Sequence, residues 1–117
     1  MPKIETLKLN KDFKRLYGRG KSFVHPVLVT YVMRNRTGHC RIGITTGKKV
    51  GNAVLRNRAR RVIFAAYREV EPLITGGYDI VFVARSKTPF TKSTDICRVL
   101  VKQLSEIGAI RSEMVTD

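Results

Sequence analysis

Between Asp12 and Glu69 the sequence contains no acidic residue. That absence removes, from nearly half the chain, the paired carboxylates used for acid–base chemistry or metal binding. It also removes the Glu partners that usually relieve a cationic helix at i,i+4 spacing. Cysteine is scarce: Cys40 and Cys97 stand far apart, outside any CxxC or zinc spacing. No disulfide framework is expected, and both read as small residues in a reducing cytosol. No apolar run approaches the ~18 residues of a membrane span, and no signal-peptide apolar stretch opens the chain. The expectation is a soluble, cytoplasmic protein. His25 and His39 lack ligand-spaced partners, and Glu69 and Glu71 would lie about 200° apart on a helix. No catalytic residue and no metal site is expected within the chain.

What is present is positive charge. The 117 residues carry 23 Lys/Arg against 9 Asp/Glu, a net charge of +14. Its placement is uneven: residues 1–68 hold 17 basic and 2 acidic side chains, residues 69–117 hold 6 and 7. Basic charge confined to one part of a compact chain is the footprint of a nucleic-acid binder. A membrane-surface protein would need an exposed apolar helix face or a lipid anchor, and no lipidation motif occurs. The length fits one domain, residues 1–117, burying roughly two-thirds of its unfolded surface. At 43% apolar residues, folding is favoured over disorder.

The local patterns alternate between helix and strand. LNKDFKRLYGRG predicts a short helix, with Asn10 as cap, Leu9, Phe13, Leu16 and Tyr17 at helical spacing, and Gly18 as its end. SFVHPVLVTYVM is β-rich, and Pro26 divides a lead-in from a strand at about 27–33. NRTGH is a turn and RIGITT a second strand. A long helix over about 53–70 stops before Pro72 and Gly76-Gly77. YDIVFVAR, a near-continuous apolar run, suits a central or parallel strand. TDICRVLVKQLSEIG closes as an amphipathic helix with Ile96, Leu100, Leu104 and Ile107 on one side. The order predicts an α+β sandwich with helices against one sheet and a β-α-β unit around the long helix.

That long helix follows KKVGNAVLRNRARR, in which six of fourteen residues are Lys or Arg. At helical spacing Leu55, Ala59, Val62, Ala66 and Val70 form one stripe, with Ile63 at its edge. Arg56 and Arg60 flank the stripe on one side and Arg58 on the other, while Asn57, Arg61 and Arg68 point away. Burying the stripe offsets the charge repulsion at roughly 25 cal/mol per Å² of apolar area. The outward face then remains free for phosphates, with arginine favouring bidentate contacts.

The strand RIGITTG separates Ile42, Ile44 and Thr46 from Arg41, Gly43, Thr45 and Gly47. The second set is too small and polar for helix packing, so it is expected to be a face open to another backbone. Val27, Val29, Tyr31 and Met33 share a face opposite Leu28, Thr30 and Val32. Phe13, Tyr17 and Tyr31 are the aromatics on which single-stranded RNA bases would stack, with ordinary core packing as the competing assignment. GKS at 20–22 and GITTGKK are incomplete as phosphate-binding loops: the first has Arg15 where glycine is needed, the second lacks Ser or Thr after Lys48.

The segment KKVGNAVLRNRARR, with Arg56-Asn57-Arg58 at its centre, resembles the signature of the bacterial ribonuclease P protein component. The resemblance runs from NKDFKRLY through RIGITTGKKVGNAV to YDIVFVAR, over roughly residues 8–108. It implies an α-β-β-β-α-β-α sandwich with a four-stranded sheet and a left-handed β-α-β crossover, against the general right-handed preference. It also implies the protein subunit of an endoribonuclease that removes the 5′ leader of precursor tRNA. Catalysis there belongs to a large RNA using Mg²⁺, and none is held tightly by the protein. By matching positions, Lys48, Lys49, Asn52, Arg56, Arg58, Arg60 and Arg61 would serve RNA contacts around the helix. Phe13, Tyr17, Tyr31 and Thr45 would line a cleft for the single-stranded leader, with Arg85 at its edge. Phe64, Gly47 and Ser86 depart from residues common in the family, Arg, Ser and Lys, and Lys87 partly compensates for the last.

A ribosomal or other structural RNA-binding protein would share the charge but not this helix behind GNAV. A helix-turn-helix regulator would need a second adjacent helix where strands are predicted. An autonomous protein nuclease would need the acid cluster that is missing. No membrane and no obligate protein partner is implied.

Overall fold

The computed structural model describes residues 4–110. Five strands form one sheet: β1 (Glu5–Thr6), β2 (Lys21–Val24), β3 (Leu28–Arg34), β4 (Arg41–Thr45) and β5 (Tyr78–Ala84). Three helices accompany them: α1 (Asn10–Arg19), α2 (Ala53–Val70) and α3 (Ser93–Glu106). The sheet order is β1-β4-β5-β3-β2. The α+β class and the order from α1 onward are as expected, whereas the sheet has five strands rather than four. The extra strand is two residues long, too short for any periodicity to reveal. It forms because the edge of β4 supplies partners: Glu5 pairs with Arg41 and Thr6 with Ile42, in parallel.

β5 lies at the centre, parallel to β4 and antiparallel to β3. Both faces of a central strand are covered, which explains its unbroken apolar run. β4, α2 and β5 form the expected β-α-β unit. Pro26 sits in the turn that joins β2 to β3, where His25 and Leu28 exchange backbone hydrogen bonds of 3.1 and 3.2 Å.

One face of the sheet holds the main core. Leu28, Val32, Ile42, Ile80 and Phe82 meet Ala59, Ile63, Ala66 and Val70 of α2 and Ile96, Leu100 and Leu104 of α3. The buried row on α2 therefore centres on Ile63 and adds Tyr67, while Val62 is only half-buried. The shift has a cause. α2 packs on the sheet and on α3 together, so its apolar face is wider than a single stripe.

Tyr67 is fully buried against Phe82, ring centroids 5.8 Å apart. Its hydroxyl, with Cys40 and Glu71 as polar neighbours, has no hydrogen-bond partner among the described residues. Burial pushes its pKa far above the ordinary tyrosine value. An unpartnered buried hydroxyl costs about 1–3 kcal/mol. Tyr67→Phe is therefore expected to melt at or above the wild-type temperature. A clear drop in melting temperature would show that the hydroxyl is bonded in solution.

Among the described helices, α1 covers the opposite face. Leu16 and Leu7 pack with Val81 there, joined by half-buried Phe13, Tyr31, Met33 and Val83. This corrects the expectation that the Arg41–Gly47 face stays free of helix packing. The Phe13 ring rests on Gly43, where a Cβ would stand 2.5 Å from Cζ. Only glycine admits that approach. The ends of α1 also differ from expectation. Leu9 occupies the cap position, no side chain caps the helix, and it runs past Gly18 to Arg19. The cap chemistry appears instead on α2, where Asn52 accepts from the Leu55 N–H at 3.0 Å. Gly51, at φ 135°, makes the sharp entry that a side chain would strain.

Candidate nucleic-acid interface

The basic residues of α2 divide into two sets. Arg56 donates from Nε to the Gly51 carbonyl at 2.9 Å. Arg60 donates to the Ile44 carbonyl at 3.2 Å and to Thr46 Oγ1 at 3.1 Å. Arg56 thus fastens the helix start to the turn before it, and Arg60 fastens the helix to the end of β4. Asn57, Arg58, Arg61 and Arg68 are exposed, and among the described residues their side chains form no hydrogen bond or ion pair. Lys48 and Lys49 are exposed in a 3-10 turn, Lys48–Val50, just before the helix. Asn52 has its oxygen committed to the cap. Phe64, at the position where an arginine is common, is half-buried beside Leu7, Phe13 and Arg60 in a groove of about 340 Å³. Its ring packs against the main core beneath α2.

The sheet face under α1 changes character along the strands. Gly43, Val81 and Tyr31 lie in one row across β4, β5 and β3, and Thr45, Val83 and Val29 lie in the next. Gly43 and Val81 are buried beneath α1, whereas Thr45, Val83 and Val29 are all half-buried. The second row is thus less covered than the first and partly open to solvent. Tyr17 stands edge-on to Tyr31, centroids 4.9 Å apart at 80°. Tyr17 is 44% exposed, so one aromatic face remains available to a ligand. Phe13 and Tyr31 are half-buried members of the small core. Arg85 follows Val83 at the rim and donates to the His25 carbonyl at 3.2 Å. Val29 and Val83 had no sequence signal as site residues. They look like any apolar strand positions until the helix is seen to leave them open.

Asp79 fixes this arrangement from below. It is fully buried on β5 and accepts from Arg41 Nε and Nη2 at 2.9 and 2.7 Å. Arg15 of α1 donates to it at 2.7 Å and Asn35 at 2.8 Å. Burial pushes the Asp79 pKa up, but these donors and the two guanidinium charges outweigh it and hold the value below normal. Arg15 lies midway between Phe13 and Tyr17, so the ion pair pins the aromatic turn of α1 onto the sheet. Sequence separation hid this cluster, as it hid the contact of His39 Nε2 with Glu5 at 2.9 Å. Among the described residues, no three His, Cys, Asp or Glu side chains are grouped to hold a metal ion. No described helix is long and apolar enough to cross a membrane.

The family model described as Ribonuclease P matches residues 1–108. A ribonuclease P protein component of Clostridioides difficile is 45% identical over 91 residues, covering 77% of this chain and 80% of its own. One from Clostridium botulinum is 37% identical over 107 residues, covering 91% and 96%. The Staphylococcus aureus RNase P protein superposes with a TM-score of 0.78 at 32% identity, covering 93% of this chain and all of that one. The Thermotoga maritima protein gives 0.75 at 27%, covering 87% and 96%. The likeness extends across nearly the whole described chain. The chain belongs to the ribonuclease P protein family, the protein subunits of the ribonucleoprotein that processes tRNA precursors.

Proposed function

We propose that residues 1–117 act as a single RNA-binding domain with two RNA-facing surfaces. The outward face of α2, with Lys48, Lys49, Asn57, Arg58, Arg61 and Arg68, binds the catalytic RNA subunit. Arg56, Arg60 and Asn52 hold that face in shape and offer their remaining donors to the same RNA. The cleft of Phe13, Tyr17, Tyr31 and Thr45, with Arg85 at its rim, holds the single-stranded 5′ leader of precursor tRNA. The observation that carries this reading is the division of the arginines. Arg56 and Arg60 are bonded within the protein, and Arg58, Arg61 and Arg68 have no side-chain partner among the described residues. Phosphates are the ligand such a surface favours.

Phosphodiester hydrolysis and its Mg²⁺ are assigned to the RNA. Of the described acids, Asp79 is committed to three donor side chains and Asp12 is buried beside Arg15. The protein works in the cytoplasm, where its RNA partners are made, and needs no membrane or further protein.

The cleft is tested by Tyr17→Ala and Tyr31→Ala in the reconstituted enzyme. Each is expected to weaken precursor tRNA binding by about 1–3 kcal/mol, the usual worth of base–aromatic stacking. Mature tRNA lacks a leader, so its affinity should stay the same. Tyr31→Ala should also lower the melting temperature, because that ring packs in the small core. Tyr17→Ala should hardly change it. Equal losses for precursor and mature tRNA would remove the leader from this cleft.

A further inference from the structure

After β5 the chain makes a 3-10 turn, Thr88–Phe90. Thr88 is fully buried; its hydroxyl donates to the Val27 carbonyl at 2.6 Å and accepts from the Arg85 N–H at 2.8 Å. Pro89 is buried as well. The Phe90 N–H bonds to the Lys87 carbonyl at 3.1 Å, and Thr91 Oγ1 bonds to the same carbonyl at 2.7 Å. The turn is thus fastened from both sides. Yet Phe90 is 69% exposed, the most exposed aromatic residue of the chain. A fixed loop holds a ring in water, and no packing in the fold needs it there.

Its surroundings are cationic. β4 and β5 are parallel and in register to Thr45 and Val83, so both end at the same pole of the molecule. α2 starts just after β4 and α3 just after β5, and the Phe90 turn packs against α2. Lys48, Lys49, Lys87 and Lys92 are all exposed on the connections at this pole, as is Val54 in the first turn of α2. No acid lies in the first turn of α2 or in the Phe90 turn, and the first acid after Phe90 in the sequence, Asp95, faces Arg98 at 3.5 Å.

We propose that this pole is a second base-stacking site, in which Phe90 receives an unpaired base of the catalytic RNA while Lys87 and Lys92 hold the flanking phosphates. An aromatic face among lysines matches a ligand that alternates π-surfaces with negative charges. The site is continuous with the arginine face of α2, and it rests on the reading that this face meets the RNA subunit. An anionic lipid surface is the competing occupant, since it too takes lysines beside an apolar side chain.

The chain has no tryptophan, so Phe90→Trp introduces a single indole reporter into the full-length protein. Titration with the cognate ribonuclease P RNA should quench its emission severalfold. Heparin, a polyanion without bases, should bind while leaving the emission nearly unchanged. Phe90→Ala should weaken RNA binding by about fivefold or more with the salt slope and melting temperature unchanged, and Phe90→Tyr should restore it. Lys87→Ala and Lys92→Ala should each lower the salt slope by about one. Unchanged indole emission at saturating RNA overturns the proposal, as does equal quenching by heparin. A blue shift on phosphatidylglycerol vesicles with no response to RNA would assign the pole to lipid. If the wild-type chain fails to bind the RNA, the reading of α2 falls first and this site with it. Binding that persists without an indole response removes this site alone.

Discussion

Arg58→Ala and Arg61→Ala together should weaken assembly with the ribonuclease P RNA by about 2–4 kcal/mol, roughly thirty- to a thousandfold. Both side chains are exposed and unpartnered among the described residues, so their removal leaves no buried group behind. The folded protein should therefore melt near the wild-type temperature. Each lost phosphate contact also removes counterion release, so the dependence of log affinity on log salt should fall by about two. Arg60→Ala makes the contrast, because it breaks bonds to Ile44 and Thr46 inside the protein. It should cost stability as well as affinity. A double variant with wild-type affinity and an unchanged salt slope would show that the RNA lies elsewhere.

Asp79→Ala should lower the melting temperature by about 10 °C at neutral pH. Removing one partner of a buried ion pair costs about 3 kcal/mol or more, and 1 kcal/mol is worth about 4 °C in a domain this size. The sign with pH follows from the lowered folded pKa of Asp79. Its carboxylate contributes fully above the unfolded value of about 3.9, and the contribution disappears as pH falls through the folded value. The gap between wild type and variant should therefore narrow in acid, below about pH 4. Asp79→Asn should recover little, since an amide leaves Arg41 without its counter-charge and Arg15 with Asp12 alone. Because Arg15 sits between Phe13 and Tyr17, the surviving folded protein should also discriminate less between precursor and mature tRNA. A variant melting within about 2 °C of wild type would show that the cluster contributes little to holding α1.

The sequence by itself determined the helix and strand order from α1 onward, because each pattern reports a local requirement. The apolar run of β5 demands cover on both faces. The alternation of β3 demands one well-buried face, and Leu28, Thr30 and Val32 supply it. The bounds of α2 were legible because Gly51-Asn52 starts a helix and Pro72 stops one. The cationic function was legible too, since fourteen basic residues without one acid between Asp12 and Glu69 have no local partner. Tertiary structure alone decided which of those charges remain available. Arg15 and Arg41 are claimed by Asp79, 64 and 38 residues away, and Arg60 by the end of β4. It also decided that α1 lies on the face the strand pattern left open, because Gly43 admits the Phe13 ring. That contact determines where the cleft begins. Spacing along the chain could not show it, since one glycine and one phenylalanine thirty positions apart carry no period. The two-residue strand β1 is the same case: its pairing is a property of the β4 edge, and so it exists only once the sheet does.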